Sequence, residues 1–143
     1  VPDEIVLADF APHARAAVTV VPRVGEDEVM RYYRIHDMLV MSSTYEGFGM
    51  VILEAMSQRL PVISTPVGCA PGLVEDGKTG LVVTPRAPGE LMAAMSRLMS
   101  DPALGTRLAN RAYTLATTHT WARTAERTVE VYRDAIAARR GLS

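Results

Sequence analysis

Glu46-Gly47-Phe48-Gly49 and Glu54-Ala55-Met56 are the residues of this chain whose types and spacing could do chemistry. Glycines on either side of Phe48 let the backbone approach a ligand closely. If a helix opens just beyond them, the free N–H groups of its first turn, those of Met50 and Val51 among them, make a seat for an anion. Phosphate is the obvious candidate. Glu46 lies in the loop ahead of that helix, and Glu54 roughly 7–8 Å further along, at about 1.5 Å of rise per residue. Glutamate is common on helix surfaces, so a pair at this spacing is more often structural than functional. Its weight comes from the whole constellation.

The elements that must position these residues are readable around them. Met38-Leu39-Val40-Met41 is an apolar run of strand length, rich enough in apolar residues to be fully buried. Met50 to Arg59 has helical spacing, with Val51, Ile52, Ala55 and Met56 available for an inward face. Pro61-Val62-Ile63-Ser64 is a short strand, and Thr65 to Gly72 is a loop punctuated by proline and glycine. This loop is expected to face Gly47–Gly49 across the carboxyl edge of the sheet, where open α/β folds bind ligands, with Gly68 and its neighbours offering backbone N–H groups. A nucleotide sugar is a long ligand, and one carboxylate could meet its sugar while the other meets its ribose hydroxyls.

Upstream, Glu4–Ala8 and Val18–Val21 are strand candidates, and acidic residues after Gly25 open a helix that runs to about Ile35. Downstream, Leu81-Val82-Val83 is an edge or last strand. From Pro88 the chain turns helical, with apolar stripes at Leu91, Met95, Leu98 and Met99, and at Leu104, Leu108 and Leu115. A last helix over Trp121 to Ala138 carries Ala125, Val129, Tyr132 and Ile136 on one face. The order predicts an α/β fold: a Rossmann-like, mostly parallel sheet of four or five strands over about residues 1–85, covered by helices, with a helical C-terminal tail over about 88–140.

Bulk properties narrow the function. The 143 residues are 48% hydrophobic and 22% charged, an ordinary composition for one globular domain. A net charge of -1 gives no electrostatic reason to expect nucleic acid or an anionic membrane. The single cysteine, Cys69, has no internal disulfide partner, which fits a reducing compartment, and with no base adjacent in sequence it is read as a small loop residue. His13, His36 and His119 lack neighbours at metal-ligand spacing and are read as satisfied loop or packing residues. No apolar run reaches membrane-spanning length.

The constellation resembles the donor-binding lobe of the retaining glycosyltransferases of family 4, often called group 1, which have the GT-B fold. The blocks that carry the resemblance are Ser42-Ser43, Glu46-Gly47-Phe48-Gly49, Glu54-Ala55-Met56 and Pro61-Val62-Ile63, then Thr65-Pro66-Val67-Gly68 and Asp76-Gly77-Lys78-Thr79-Gly80-Leu81-Val82-Val83. It covers about Val18 to Val83 strongly and the tail loosely. The resemblance implies that Glu46 contacts the donor sugar and that Glu54 takes the ribose hydroxyls. It also implies that Gly47, Phe48 and Gly49, with Met50 and Val51, line the sugar and diphosphate, and that Pro22 and Arg23 lie near the base. It implies retention of anomeric configuration, no metal and no cofactor beyond the nucleotide diphosphate sugar as substrate.

The chain departs from the family pattern at Arg59, where the family has glycine, and at Gly72, where it often has glutamate. The arginine and lysine with which the family grips the diphosphate, and the whole acceptor-binding N-terminal lobe, are not in this chain. With Val1 in place of methionine, these point to an excised, cytoplasmic piece of a longer protein, inactive alone. Acceptor choice (glycan, lipid or small molecule) and any peripheral membrane association would then belong to the missing lobe. A non-catalytic nucleotide- or phosphate-binding module of the same fold is the alternative, and a nucleotide-sugar epimerase a third reading.

Overall fold

A computed structural model describes residues 2–140, with the side chain of Arg140 excluded. The elements run α1 (Asp3–Ala8), a single 3-10 turn (Arg15–Ala17), α2 (Glu26–Ile35), β1 (Leu39–Met41), α3 (Met50–Ser57), β2 (Val62–Ser64), α4 (Ala70–Leu73), β3 (Leu81–Val82), α5 (Pro88–Ser100), α6 (Pro102–Ala116) and α7 (Trp121–Arg140). The three strands form a parallel sheet in the order β1-β2-β3, with Leu39 opposite Val62, Met41 opposite Ser64, and Ile63 opposite Leu81. Every residue of β2 is buried, as a central parallel strand covered on both faces must be.

Alternation along β2 divides the core. Val62 joins Ile52, Ala55, Met56, Leu73 and Ala112 on one face, while Ile63 joins Leu81, Leu98, Leu104 and Leu108 on the other. Helices α3 and α4 therefore cover one side and α5 the other, with α6 contributing to both. The α5–α6 break falls at Asp101-Pro102: Asp101 Oδ1 accepts the Leu104 N–H at 2.9 Å, and proline occupies the first turn where no N–H is needed.

Two expected strands are absent. Glu4–Ala8 lies within helix α1, whose first turn carries Asp3 and Glu4. A short apolar run fits either periodicity, and acidic residues at the amino end favour the helix. Val18–Val21 is not a strand: among the described residues the segment pairs with no other, and β1 pairs only with β2. Among the described residues the sheet accordingly has three strands, in place of the four or five expected. The end of the expected loop Thr65–Gly72 is taken up by a short helix, Ala70–Leu73, with Pro71 in its first turn. Met99, expected in the buried stripe of α5, is 72% exposed. In α7 the described side chains are all exposed, including the Ala125–Val129–Tyr132–Ile136 face. Among the described residues no helix is long and apolar enough to cross a membrane.

The carboxyl end of α3 shows what the missing glycine costs. Arg59 has φ 57°, Arg59 N–H donates to Met56 O at 3.1 Å and Leu60 N–H to Ala55 O at 3.0 Å. This paired-bond helix ending needs a left-handed residue, the place glycine usually fills. The arginine is compensated by its guanidinium, which lies 3.6 Å from the centre of the Tyr113 ring. Arg59→Ala keeps the strain and loses the ring contact, whereas Arg59→Gly loses the contact and releases the strain. Chemical denaturation should find the glycine variant more stable than the alanine variant by about 1 kcal/mol.

Candidate functional site

The loop from Ser42 to Gly49 leaves the carboxyl end of β1 and delivers the chain into α3. Gly49 makes the entry possible: it caps the helix with φ 82° and ψ 50°, a left-handed conformation that other residues adopt only with strain. Among the described residues no side chain caps this helix, so the first-turn N–H groups of Met50 and Val51 are left without a capping partner. Phe48, Met50 and Val51 are 52%, 48% and 38% exposed, so the helix opening is a surface and not a covered turn.

A second loop, after β2, straps the first one down. Thr65 Oγ1 donates to Ser43 O at 2.6 Å, and Cys69 N–H donates to Phe48 O at 2.7 Å. Gly68, at φ 58°, sits so close that a Cβ built on it would lie 2.5 Å from Phe48 O and 3.0 Å from Glu46 Cβ. The expected meeting of the Gly47–Gly49 and Thr65–Gly72 loops at the carboxyl edge is thus what the fold builds. Burial pushes the Cys69 thiol pKa up, and the charge of Glu46 adds to the effect. The thiol stays protonated and reaches toward Gly49 O at 3.5 Å, which fits a small packing residue.

Glu46 is half-buried, and its Oε1 accepts a hydrogen bond from Ser43 Oγ at 2.9 Å. Among the described residues it forms no ion pair; the two found join Lys78 with Glu75 and Arg107 with Asp101. Its charge is therefore not consumed by structure. Glu54, on the same helix that the loop opens, is also half-buried and accepts at Oε2 from Tyr33 Oη of α2 at 3.0 Å. Burial, then the bond to Glu54, pushes the Tyr33 phenol up to about 12.

The structure brings Glu46, Gly47, Phe48, Gly49, Met50, Val51 and Gly68 to one rim, with Glu54 further along α3. Pro22 and Arg23 are exposed in the unpaired segment before α2, and among the described residues no hydrogen bond joins either to the Glu46 loop. Beside the rim lies a cavity of about 230 Å³ lined by Ser42, Thr44, Thr65, Thr84 and Arg86. Sequence reasoning did not single out Tyr33, Ser43, Thr65 or Arg86 as site residues. Arg86 carries one local signal in the structure, a left-handed φ of 61°. Among the described residues no three His, Cys, Asp or Glu side chains converge as metal ligands. His36 Nδ1 lies 2.7 Å from Tyr32 O and is satisfied locally.

The family model for glycosyl transferases group 1 matches residues 11–115. The chain belongs to that family. A D-inositol 3-phosphate glycosyltransferase of Streptomyces bingchenggensis is 36% identical over 121 residues, covering 85% of this chain and 27% of the relative. The sucrose-phosphate synthase of Thermosynechococcus elongatus superposes with a TM-score of 0.82 at 29% identity, over 95% of this chain and 34% of that one. HepE of Anabaena, solved in complex with UDP-glucose, superposes with a TM-score of 0.66 at 26% identity over 76% of this chain and 30% of its own. The group 1 chain thus spans between a quarter and about a third of these proteins. Its α/β core has the architecture of GT-B glycosyltransferases.

Proposed function

We propose that this group 1 chain is the donor-nucleotide-sugar-binding part of a retaining, metal-independent glycosyltransferase, which moves a sugar from a nucleotide diphosphate sugar to an acceptor. The observation that carries the reading is a half-buried carboxylate, Glu46, which has no ion-pair partner among the described residues and is set directly ahead of the uncapped amino end of α3. The UDP-glucose complex of HepE supports a nucleotide sugar as the donor class.

In this reading the N–H groups of Met50 and Val51 donate hydrogen bonds to the diphosphate, whose charge grows as the bond to the sugar breaks. Hydrogen bonds to a charged group contribute about 1.5–3 kcal/mol each, and the helix dipole up to about 2 kcal/mol more. Glu46 faces the positive charge that develops on the sugar ring. Gly47, Phe48 and Gly49 line the sugar, Gly68 holds the loop at its place, and Pro22 and Arg23 border the base. Glu54 binds the ribose hydroxyls, so it is not the second carboxylate of a double displacement. Neutralisation of the leaving group falls to protein donors, without a metal. The acceptor is bound by a second lobe of the same protein, and the 143 residues alone do not turn over.

The test is Glu54→Ala in the full-length protein, assayed with UDP, GDP and ADP sugars. Donor KM is expected to rise about tenfold or more, the worth of one hydrogen bond to a charged group. An unchanged donor KM overturns the assignment. A second reading, a binding module without transfer chemistry, is favoured by Gly72. A Cβ there would meet nothing within 4 Å, so no clash at the first side-chain atom calls for glycine, and its presence removes a carboxylate that the family often has. Donor binding with no transfer to any acceptor would select it.

A further inference from the structure

We infer that Tyr33 is a positioning residue for the donor: its hydroxyl holds one oxygen of the Glu54 carboxylate, presenting the other to the ribose and making the site selective for a ribonucleotide. The inference rests on the proposed role of Glu54 and extends it to a residue on a different helix.

Glutamate on an exposed helix face has several rotamers, and a ligand that needs one of them must order the side chain as it binds. Here that ordering is done in advance. Tyr33 is half-buried and packs against the cluster formed by Ile52, Ala55 and Met56, so its ring is fixed by the core. Its hydroxyl donates to Glu54 Oε2 at 3.0 Å. Among the described residues no hydrogen bond reaches Glu54 Oε1, which leaves that oxygen as an acceptor for a sugar hydroxyl. The phenol, pushed up to about 12, remains a donor throughout the neutral range. Organising a carboxylate before the ligand arrives favours affinity because less freedom is lost on binding.

A purely structural role, fastening α2 to α3, is already served one residue on. Arg34 Nε donates to Gln58 Oε1 at 2.7 Å across the same helix pair. That bond touches neither Glu54 nor the rim, so Gln58→Ala is the control for loosened helices.

The experiment titrates the full-length protein with UDP, GDP and ADP, then pairs the tightest binder with its 2′-deoxy form. Tyr33→Phe is expected to weaken the ribonucleotide about tenfold, one charged hydrogen bond's worth, and the deoxynucleotide less than about twofold. In turnover assays the loss falls on donor KM and not on kcat. Gln58→Ala shifts neither dissociation constant. If Glu54→Ala selectively weakens the ribonucleotide but Tyr33→Phe does not, the positioning role is overturned and the ribose role of Glu54 stands. If Tyr33→Phe weakens both nucleotides equally, it acts on the fold and the inference fails. If Glu54→Ala weakens neither nucleotide, the ribose assignment itself falls, and the role of Tyr33 with it.

Discussion

Glu46→Gln in the full-length protein is expected to lower kcat for sugar transfer about 100- to 1,000-fold, some 2.7–4 kcal/mol, while leaving the melting temperature unchanged. Glutamine has the size and shape of glutamate, and its carbonyl oxygen can accept the Ser43 hydrogen bond that the carboxylate accepts at 2.9 Å. What it removes is the charge. Because the described residues offer Glu46 no cationic partner, removing that charge breaks no ion pair and leaves no stranded cation in the fold. The loss therefore appears where positive charge develops, at the sugar ring in the transition state. A ground-state contact would instead raise donor KM at constant kcat. Steady-state kinetics with the cognate donor decide between them, and near-normal turnover would remove Glu46 from the chemistry.

The site was legible in sequence to the extent that chemistry restricts residue types. The glycines around Phe48 read as a place of close backbone approach; the structure adds that Gly49 has φ 82°, which favours glycine for a second reason. The family resemblance marked Arg59 as a place where glycine stands, and the left-handed φ of 57° is there, offset by Tyr113. What escaped was information that exists only between elements. Tyr33 and Glu54 are 21 residues apart on two helices, and Thr65 and Ser43 are 22 apart in two loops. No local spacing encodes either pair; both follow from the β1–β2 register and the packing of α2 on α3. The same reason explains one of the two lost strands. Val18–Val21 has the composition of a strand, but strand formation is a property of a pair, and among the described residues it pairs with no strand. Pro71 and Gly72 read as loop signals, yet proline in a first helical turn costs no hydrogen bond, so α4 forms around them.

Gly68→Ala is expected to destabilise the fold by about 2–4 kcal/mol and to cut donor affinity with it, because two independent costs fall on one methyl group. The first is conformational: φ of 58° lies in the left-handed region that alanine resists. The second is steric: the new Cβ would sit 2.5 Å from Phe48 O and 2.9 Å from Phe48 C, which are backbone atoms with no rotamer to yield. Relief requires the Glu46 loop to move away from the loop after β2, and that stretches the 2.7 Å bond from Cys69 N–H to Phe48 O. Gly47→Ala is the matched control, since nothing lies within 4 Å of its Cβ and its φ is not left-handed. Its stability should fall within about 0.5 kcal/mol of the parent, as for an ordinary surface change. Urea denaturation of the pair, with a donor titration on each, separates the loop strap from the mere presence of glycine. Equal stability of the two variants would mean that the approach of Gly68 to Phe48 does not hold the rim in place.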